Sequence, residues 1–250
     1  DGTQTNYSKE MMEKYFKENE SSNFELLFDS KEDAQAHIDA YKESIVEDGD
    51  KIYETINMTI QPQISMVVMD QSTGYVKGIV GGRGEKTESL SLNRATDTTR
   101  QPGSTFKVIS SFAPALDTCG ATLGSVYYDA PYTVGTKTFR NWYSGGYQGY
   151  SSIRDGIIYS MNIVAVRCMM ETVTPQLGVE YAKNFGITTL TSSDYNAATA
   201  LGGLTEGVTN LELTSAFATI ANQGMYTEPI FFTKIIDRNG KVLINNEPET

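Results

Sequence analysis

Arg100-Gln101-Pro102-Gly103-Ser104-Thr105-Phe106-Lys107 is the stretch that decides how this chain folds. Pro102-Gly103 breaks the backbone. Ser104 then opens a pattern in which Val108, Ile109, Phe112 and Ala115 recur at helical spacing up to Leu116, and Cys119-Gly120 ends it. The break thus sets a hydroxyl at the first turn of a buried helix. Positions i and i+3 of a helix share a face, so Lys107 can reach Ser104. A serine hydroxyl is a weak nucleophile until a base takes its proton. A lysine among apolar groups loses its charge more readily and can act as that base near neutral pH. The free N–H groups and the dipole at the same helix end favour a developing oxyanion. The spacing alone is weak, because S-x-x-K is expected about once by chance in such a length and a serine there is more often a cap.

The flanks extend the reading. Downstream, residues 121–150 are rich in Tyr and Gly without a sustained period, which predicts a long irregular connection. Ser151 or Ser152 then starts a helix from Ile153 to about Glu171, almost wholly apolar around Ile163-Val164-Ala165-Val166. Ser160-Met161-Asn162 interrupts it. A hydroxyl and an amide buried there need a reason, and they could hydrogen-bond Lys107, relay a proton and hold a substrate amide. The bland alternative is that they satisfy each other or face solvent. The same S-x-N spacing at Ser21–Asn23 and Ser91–Asn93 interrupts no apolar helix. Further helices are expected over Thr174 to Phe185, stopped at Gly186, and from a cap at Asn210 through Ala221, ended at Gly224. Leu201-Gly202-Gly203-Leu204 marks a turn between them. Upstream, Ile64 to Met69 and Tyr75 to Val80 read as a hairpin with Gly74 at positive φ, followed by a loop over 81–100. A second hairpin joins residues 230–236 and 242–244 across Asp237-Arg238-Asn239-Gly240. Strands at both ends with helices between predict an α+β domain, helices packed on an antiparallel sheet.

Residues 1–60 form a different segment. They hold most of the net charge of −11, their own balance being −9 against −2 for residues 61–250. Two charged helices are expected, 9–19 and 31–47, with Asp29 or Ser30 capping the second. Residues 48–60 alternate Ile52, Tyr53, Ile56, Met58 and Ile60 in a strand-like way. The division is therefore an acidic helical and extended lead-in or linker, 1–60, and a catalytic domain, 61–250; a protein-binding pedestal is the sharper reading of the lead-in. The acidity argues against nucleic acid, which needs a basic surface. No run approaches the length of a membrane span, so a membrane would be reached through a segment absent here. Cys119 and Cys168 outline no disulfide framework, and His37 is the sole histidine, so no zinc site and no cofactor are expected. A Ser-His-Asp triad would have to use His37, far from the nucleophile motif.

Together these strings resemble the penicillin-binding proteins of the bifunctional, class A type. Arg100 to Lys107 resembles the family's first motif, with Asn93-Arg94-Ala95-Thr96 before it. Ser160-Met161-Asn162-Ile163-Val164-Ala165-Val166 resembles the second, and Ala200 to Thr209 the glycine-rich segment. Val80-Gly81-Gly82 also fits, and the order agrees over about 60 to 245. The resemblance implies a transpeptidase/serine β-lactamase fold, a helical subdomain beside an antiparallel sheet flanked by helices. It implies a D,D-transpeptidase on the extracytoplasmic face of the bacterial membrane. Ser104 would attack the D-Ala-D-Ala carbonyl of a peptidoglycan stem peptide, and a second stem would resolve the acyl-enzyme; β-lactams would acylate Ser104 instead. By motif, Lys107 is the acylation base, Ser160 a proton relay, Asn162 a partner of Lys107 and of the substrate amide, and the Ser104 N–H half of an oxyanion hole.

The third family motif, Lys-Thr-Gly, is absent: Lys86-Thr87-Glu88 and Lys137-Thr138-Phe139 do not match it. The expectation is a domain incomplete at its C-terminus, whose remainder lies in a missing segment or on a second chain. Two rival readings stand beside the transpeptidase. One is a class D-like β-lactamase or β-lactam sensor, the other a non-catalytic cell-wall scaffold.

Overall fold

The computed structural model describes residues 4–86 and 89–247. Asp1–Thr3 and Pro248–Thr250, the far ends of the two expected segments, lie outside the described residues, as do Thr87 and Glu88 of the 81–100 loop. The chain divides into two compact units at residues 60 and 61.

In the first unit, α1 (Lys9–Asn19) and α2 (Lys31–Ile45) bury Met12, Phe16 and Tyr41. Ser30 caps α2, its Oγ accepting from the Asp33 N–H at 3.0 Å. The ring of His37 lies 5.3 Å from Phe16 and 5.0 Å from Phe28, so the sole histidine is part of an aromatic cluster. The strand expected over 48–60 does not form. These residues are irregular, with Tyr53 92% exposed. Alternating β-branched residues become a strand only where a neighbouring strand pairs with them.

The second unit is α+β. β1 (Met66–Met69) and β2 (Val76–Val80) form the first hairpin, with Met66 opposite Val80. The nucleophile segment follows as a 3₁₀ turn over Gly103–Thr105, a π-helical turn over Val108–Phe112, and α3 (Ala113–Asp117). Residues 121–150 are more regular than expected. β3 (Val126–Asp129) pairs with β6 (Gly149–Ser152), and β4 (Tyr132–Val134) with β5 (Lys137–Phe139). Each strand is three or four residues long, too short for a period to register. α6 (Pro175–Asn184), α7 (Asn210–Ala221) and the hairpin β7 (Lys234–Ile236) to β8 (Val242–Asn245) complete the unit. Thr209, rather than Asn210, caps α7 in a capping box with Glu212. Among the described residues the strands pair as four separate two-stranded antiparallel ladders, not as one sheet.

The long helix expected over 153–171 is three pieces: α4 (Ile153–Ile158), α5 (Asn162–Arg167) and a π-helical turn over Cys168–Val173. Ser152 supplies the capping box of α4 with Asp155. α5 is the centre of the core. Ile163, Val164, Ala165 and Val166 are all fully buried, packing toward Phe112 and Ile153 on one side and Phe139 and Ala200 on the other. A helix apolar all round is one surrounded on every side.

α4 can approach this core because residue 156 has no side chain. A Cβ on Gly156 would lie 2.7 Å from Val164 Cγ1 and 3.0 Å from Phe112 Cζ. Gly156→Ala is therefore expected to cost about 1–3 kcal/mol of unfolding free energy in urea titrations, the usual penalty of overpacking. Adding Val164→Ala is expected to recover part of that loss, and additive losses would show the contact to be unimportant.

Candidate active site

Three segments converge around Lys107. The first is the nucleophile loop. Pro102 and Gly103, the latter at φ 56, turn the chain into the 3₁₀ turn that carries Ser104. Thr105 Oγ1 donates to the Pro102 carbonyl at 2.7 Å and stiffens that turn. Ser104 and Lys107 are three residues apart along this helical start, so they lie on the same face. Ser104 is exposed, and its hydroxyl makes no hydrogen bond among the described residues. Phe106 and Lys107 are the next residues inward, at 0% and 1% exposure.

The second segment is the glycine-rich stretch behind the loop. Gln101 reads its backbone from both sides, Nε2 donating to the Leu204 carbonyl at 2.6 Å and Oε1 accepting from the Leu204 N–H at 2.7 Å. Arg100 and Val208 exchange backbone hydrogen bonds at 2.9 Å. Gly202, at φ 70, touches the nucleophile loop so closely that a Cβ would lie 2.2 Å from the Gly103 carbonyl oxygen. Glycine is required there by both conformation and contact. This wall also borders a cavity of about 370 Å³ lined by Gln101, Phe139, Leu201 and Gly203.

The third segment is the break between α4 and α5. Lys107 Nζ donates to the Ser160 carbonyl at 2.6 Å and to Ser160 Oγ at 3.0 Å. Ser160 has φ 51, the left-handed region. Its N–H donates to the Ile157 carbonyl and the Met161 N–H to the Gly156 carbonyl, at 3.3 and 3.0 Å. That pair of bonds is the Schellman closure of a helix C-terminus, where glycine is the usual residue. A serine in its place holds strain of about 1–2 kcal/mol.

Asn162 does not pair with Lys107. Its Nδ2 donates to the Arg140 carbonyl at 2.9 Å, away from the lysine. Residue type and spacing could place Asn162 beside Ser160, but not say which partner its amide takes. Lys107 forms no ion pair among the described residues. Burial brings its ammonium down from the usual 10.5 to about 8. Cys168 is a core thiol, pushed up to about 11 by burial, and is no rival nucleophile.

Gln101, Gly202 and Asn141, whose Oδ1 accepts from the Asn162 N–H at 2.9 Å and the Ile163 N–H at 3.2 Å, matter to this geometry and are not singled out for it by the sequence. Gln101 and Gly202 lay inside strings noted only for their pattern, and Asn141 lies in a segment with no periodic signal at all.

A sequence profile of the penicillin binding protein transpeptidase domain matches residues 64–249. Penicillin-binding protein 1A of Clostridium tetani is 37% identical over 202 residues, which is 75% of this chain and 25% of that protein. The crystal structure of penicillin-binding protein 1A from Haemophilus influenzae superimposes with a TM-score of 0.63 at 31% identity, over 75% of this chain and 27% of that one. The PonA1 protein of Mycobacterium tuberculosis, solved in complex with penicillin V, gives 0.65 at 25% identity over 84% and 54%. The chain belongs to the penicillin-binding protein transpeptidase family, as its motif strings implied. It spans about a quarter of the length of the curated relatives it matches.

Two stability effects follow from the geometry. In a Lys107→Met background, where no buried amine depends on its hydroxyl, Ser160→Gly removes the left-handed strain and is expected to raise the unfolding free energy by about 1 kcal/mol; a loss of stability there would deny the strain. Lys107 has a lower folded than unfolded pKa, so the unfolded chain binds more protons between pH 8 and 10.5. Relative to Lys107→Met, the native protein is expected to gain stability as pH rises through that window, read by urea unfolding at pH 7, 8, 9 and 10.

Proposed function

We propose that the protein carrying this chain is a serine D,D-transpeptidase of the class A penicillin-binding type, acting on peptidoglycan stem peptides. The observation that carries this reading is an exposed Ser104 hydroxyl one turn above a buried amine whose hydrogen bonds both go to Ser160. A neutral lysine has two N–H groups and one lone pair. With both N–H groups given to the Ser160 carbonyl and hydroxyl, the lone pair remains for the Ser104 proton.

The steps follow from that arrangement. Lys107 Nζ takes the Ser104 proton as Oγ bonds to the carbonyl carbon of the penultimate D-Ala. The Ser104 N–H at the start of the turn faces the oxyanion. When the C–N bond breaks, Ser160 Oγ passes a proton from Lys107 to the leaving D-Ala amine. The amine of a second stem then attacks the ester and releases Ser104. Asn162 acts through the turn it belongs to and on the substrate amide, not on Lys107. A β-lactam carbonyl offers Ser104 the same electrophile, and the complex of PonA1 with penicillin V supports that reading. A class A enzyme of this kind would carry out the reaction on the extracytoplasmic face of the membrane. Among the described residues no helix is long and apolar enough to cross a membrane. Residues 1–60 fit a linker or lead-in, its charges on solvated helix faces.

Labelling of the protein by a fluorescent penicillin tests this. Covalent label on Ser104, lost in Ser104→Ala and reduced at least about 100-fold in Lys107→Met, is the expected result. The acylation rate is expected to rise with pH through an inflection near 8, where Lys107 becomes neutral. Ser160→Gly is expected to slow acylation, because Lys107 loses its hydroxyl partner and the proton relay. A label that hydrolyses within minutes would favour the β-lactamase reading. Undiminished labelling of Ser104→Ala would sink the assignment.

A further inference from the structure

Ser160 sits in a conformation that serine does not favour, between the Schellman end of α4 and the start of α5. The segment Arg140-Asn141-Trp142 supplies what holds it. Asn141 Oδ1 accepts from the Asn162 N–H at 2.9 Å and from the Ile163 N–H at 3.2 Å, closing the start of α5. The Arg140 carbonyl accepts from Asn162 Nδ2 at 2.9 Å, and Trp142 Nε1 donates to the Tyr159 carbonyl at 3.2 Å, at the end of α4. Four hydrogen bonds from three residues therefore grip the chain on both sides of Ser160. The grip is itself anchored. Asp129, the last residue of β3 and 1% exposed, accepts from Asn141 Nδ2 at 2.7 Å, from the Gln148 N–H at 2.8 Å and from the Tyr143 hydroxyl at 3.3 Å. A buried carboxylate with three donors from one loop fixes that loop's shape.

We infer that Asp129 and Asn141 form a splint that holds Ser160 left-handed against Lys107, making both of them positioning residues for acylation of Ser104. Neither touches the reacting atoms. They act through the turn, which presents two oxygens to one amine. The inference rests on the catalytic reading above for its effect on rate, and on geometry alone for its effect on the turn.

The test uses fluorescent penicillin acylation together with amide hydrogen exchange. Asn141→Ala is expected to slow acylation of Ser104 by about 10–100-fold, as misplacement of a supporting group does. Its pH inflection is expected to move up from about 8, because a loosened turn lets water reach Lys107. Exchange at the Asn162 and Ile163 amides is expected to quicken. Asn141→Asp sets a second carboxylate against Asp129 and is expected to be at least as slow. Adding Asp129→Asn to it restores one amide-to-carboxylate bond with donor and acceptor exchanged, leaves an amide oxygen for Gln148 and Tyr143, and is expected to return most of the rate. That rescue is the decisive reading if Asn141→Ala fails to fold. A wild-type rate in Asn141→Ala, or a double variant no faster than Asn141→Asp, overturns the proposal. If the wild-type protein takes up no penicillin, the catalytic reading fails instead. The two amides then decide the splint alone, and unchanged protection in Asn141→Ala refutes it.

Discussion

The placement of one amine governs this fold. Lys107 is interior, and an amine taken from water needs partners for its N–H groups. Both partners come from a single residue, Ser160, through its carbonyl and its hydroxyl. One residue points both oxygens the same way because the chain reverses there, at a helix C-terminus with φ 51. The apolar stretch from Ile153 onward is therefore cut into α4 and α5 at Ser160. α5 then runs through the core with its four central residues fully buried, and Gly156 lets α4 lie against it. The break that looks like an interruption of the core is what joins the core to the chemistry.

A second constraint acts behind Ser104. The nucleophile loop is held by backbone contact with the glycine-rich stretch, through Gly202 against Gly103 and Arg100 against Val208. Backbone-to-backbone contact leaves less freedom than side-chain packing, because neither partner can change rotamer. The loop is thus fixed from behind and the lysine from the side, while the Ser104 hydroxyl stays exposed. On the proposed reading, a site made this way is ordered before substrate arrives, which would lower the cost of reaching the transition state.

How much of this the sequence carried depends on the range of each interaction. The contact between Lys107 and Ser160 was legible because helical spacing and an interrupted apolar run are local signals. The two hairpins were legible from Gly74 and from Asp237 to Gly240 for the same reason. The strand over 48–60 was misread because its formation turns on a partner the segment does not have. The short strands of 121–150 were missed because three residues cannot display a period of two. The partner of Asn162 was misread because it lies about twenty residues away at Arg140, in a segment without pattern. The close approach of Gly156 to Val164 and Phe112 is not legible, since a contact between helices leaves no mark on either one alone.

What the site omits matters as much as what it contains. A carboxylate beside Lys107 would satisfy its charge and remove the cost of burying it. It would also raise the pKa of the lysine, by about 1–3 units for a close opposite charge. Starting from about 8, the neutral fraction at pH 7 would fall from about one in ten to about one in a hundred or fewer. Uncharged oxygens from Ser160 satisfy the N–H groups without that penalty to basicity. The carboxylate nearest in the hydrogen-bond chain, Asp129, is kept behind Asn141, so its charge fixes the loop and does not meet the amine. A buried lysine with neutral acceptors is a costly element in a fold, and so is a left-handed serine. Their occurrence in direct contact, in a unit whose buried carboxylates Asp129 and Asp194 are each held by several donors, is on the proposed reading the pattern expected where stability has been given up for reactivity.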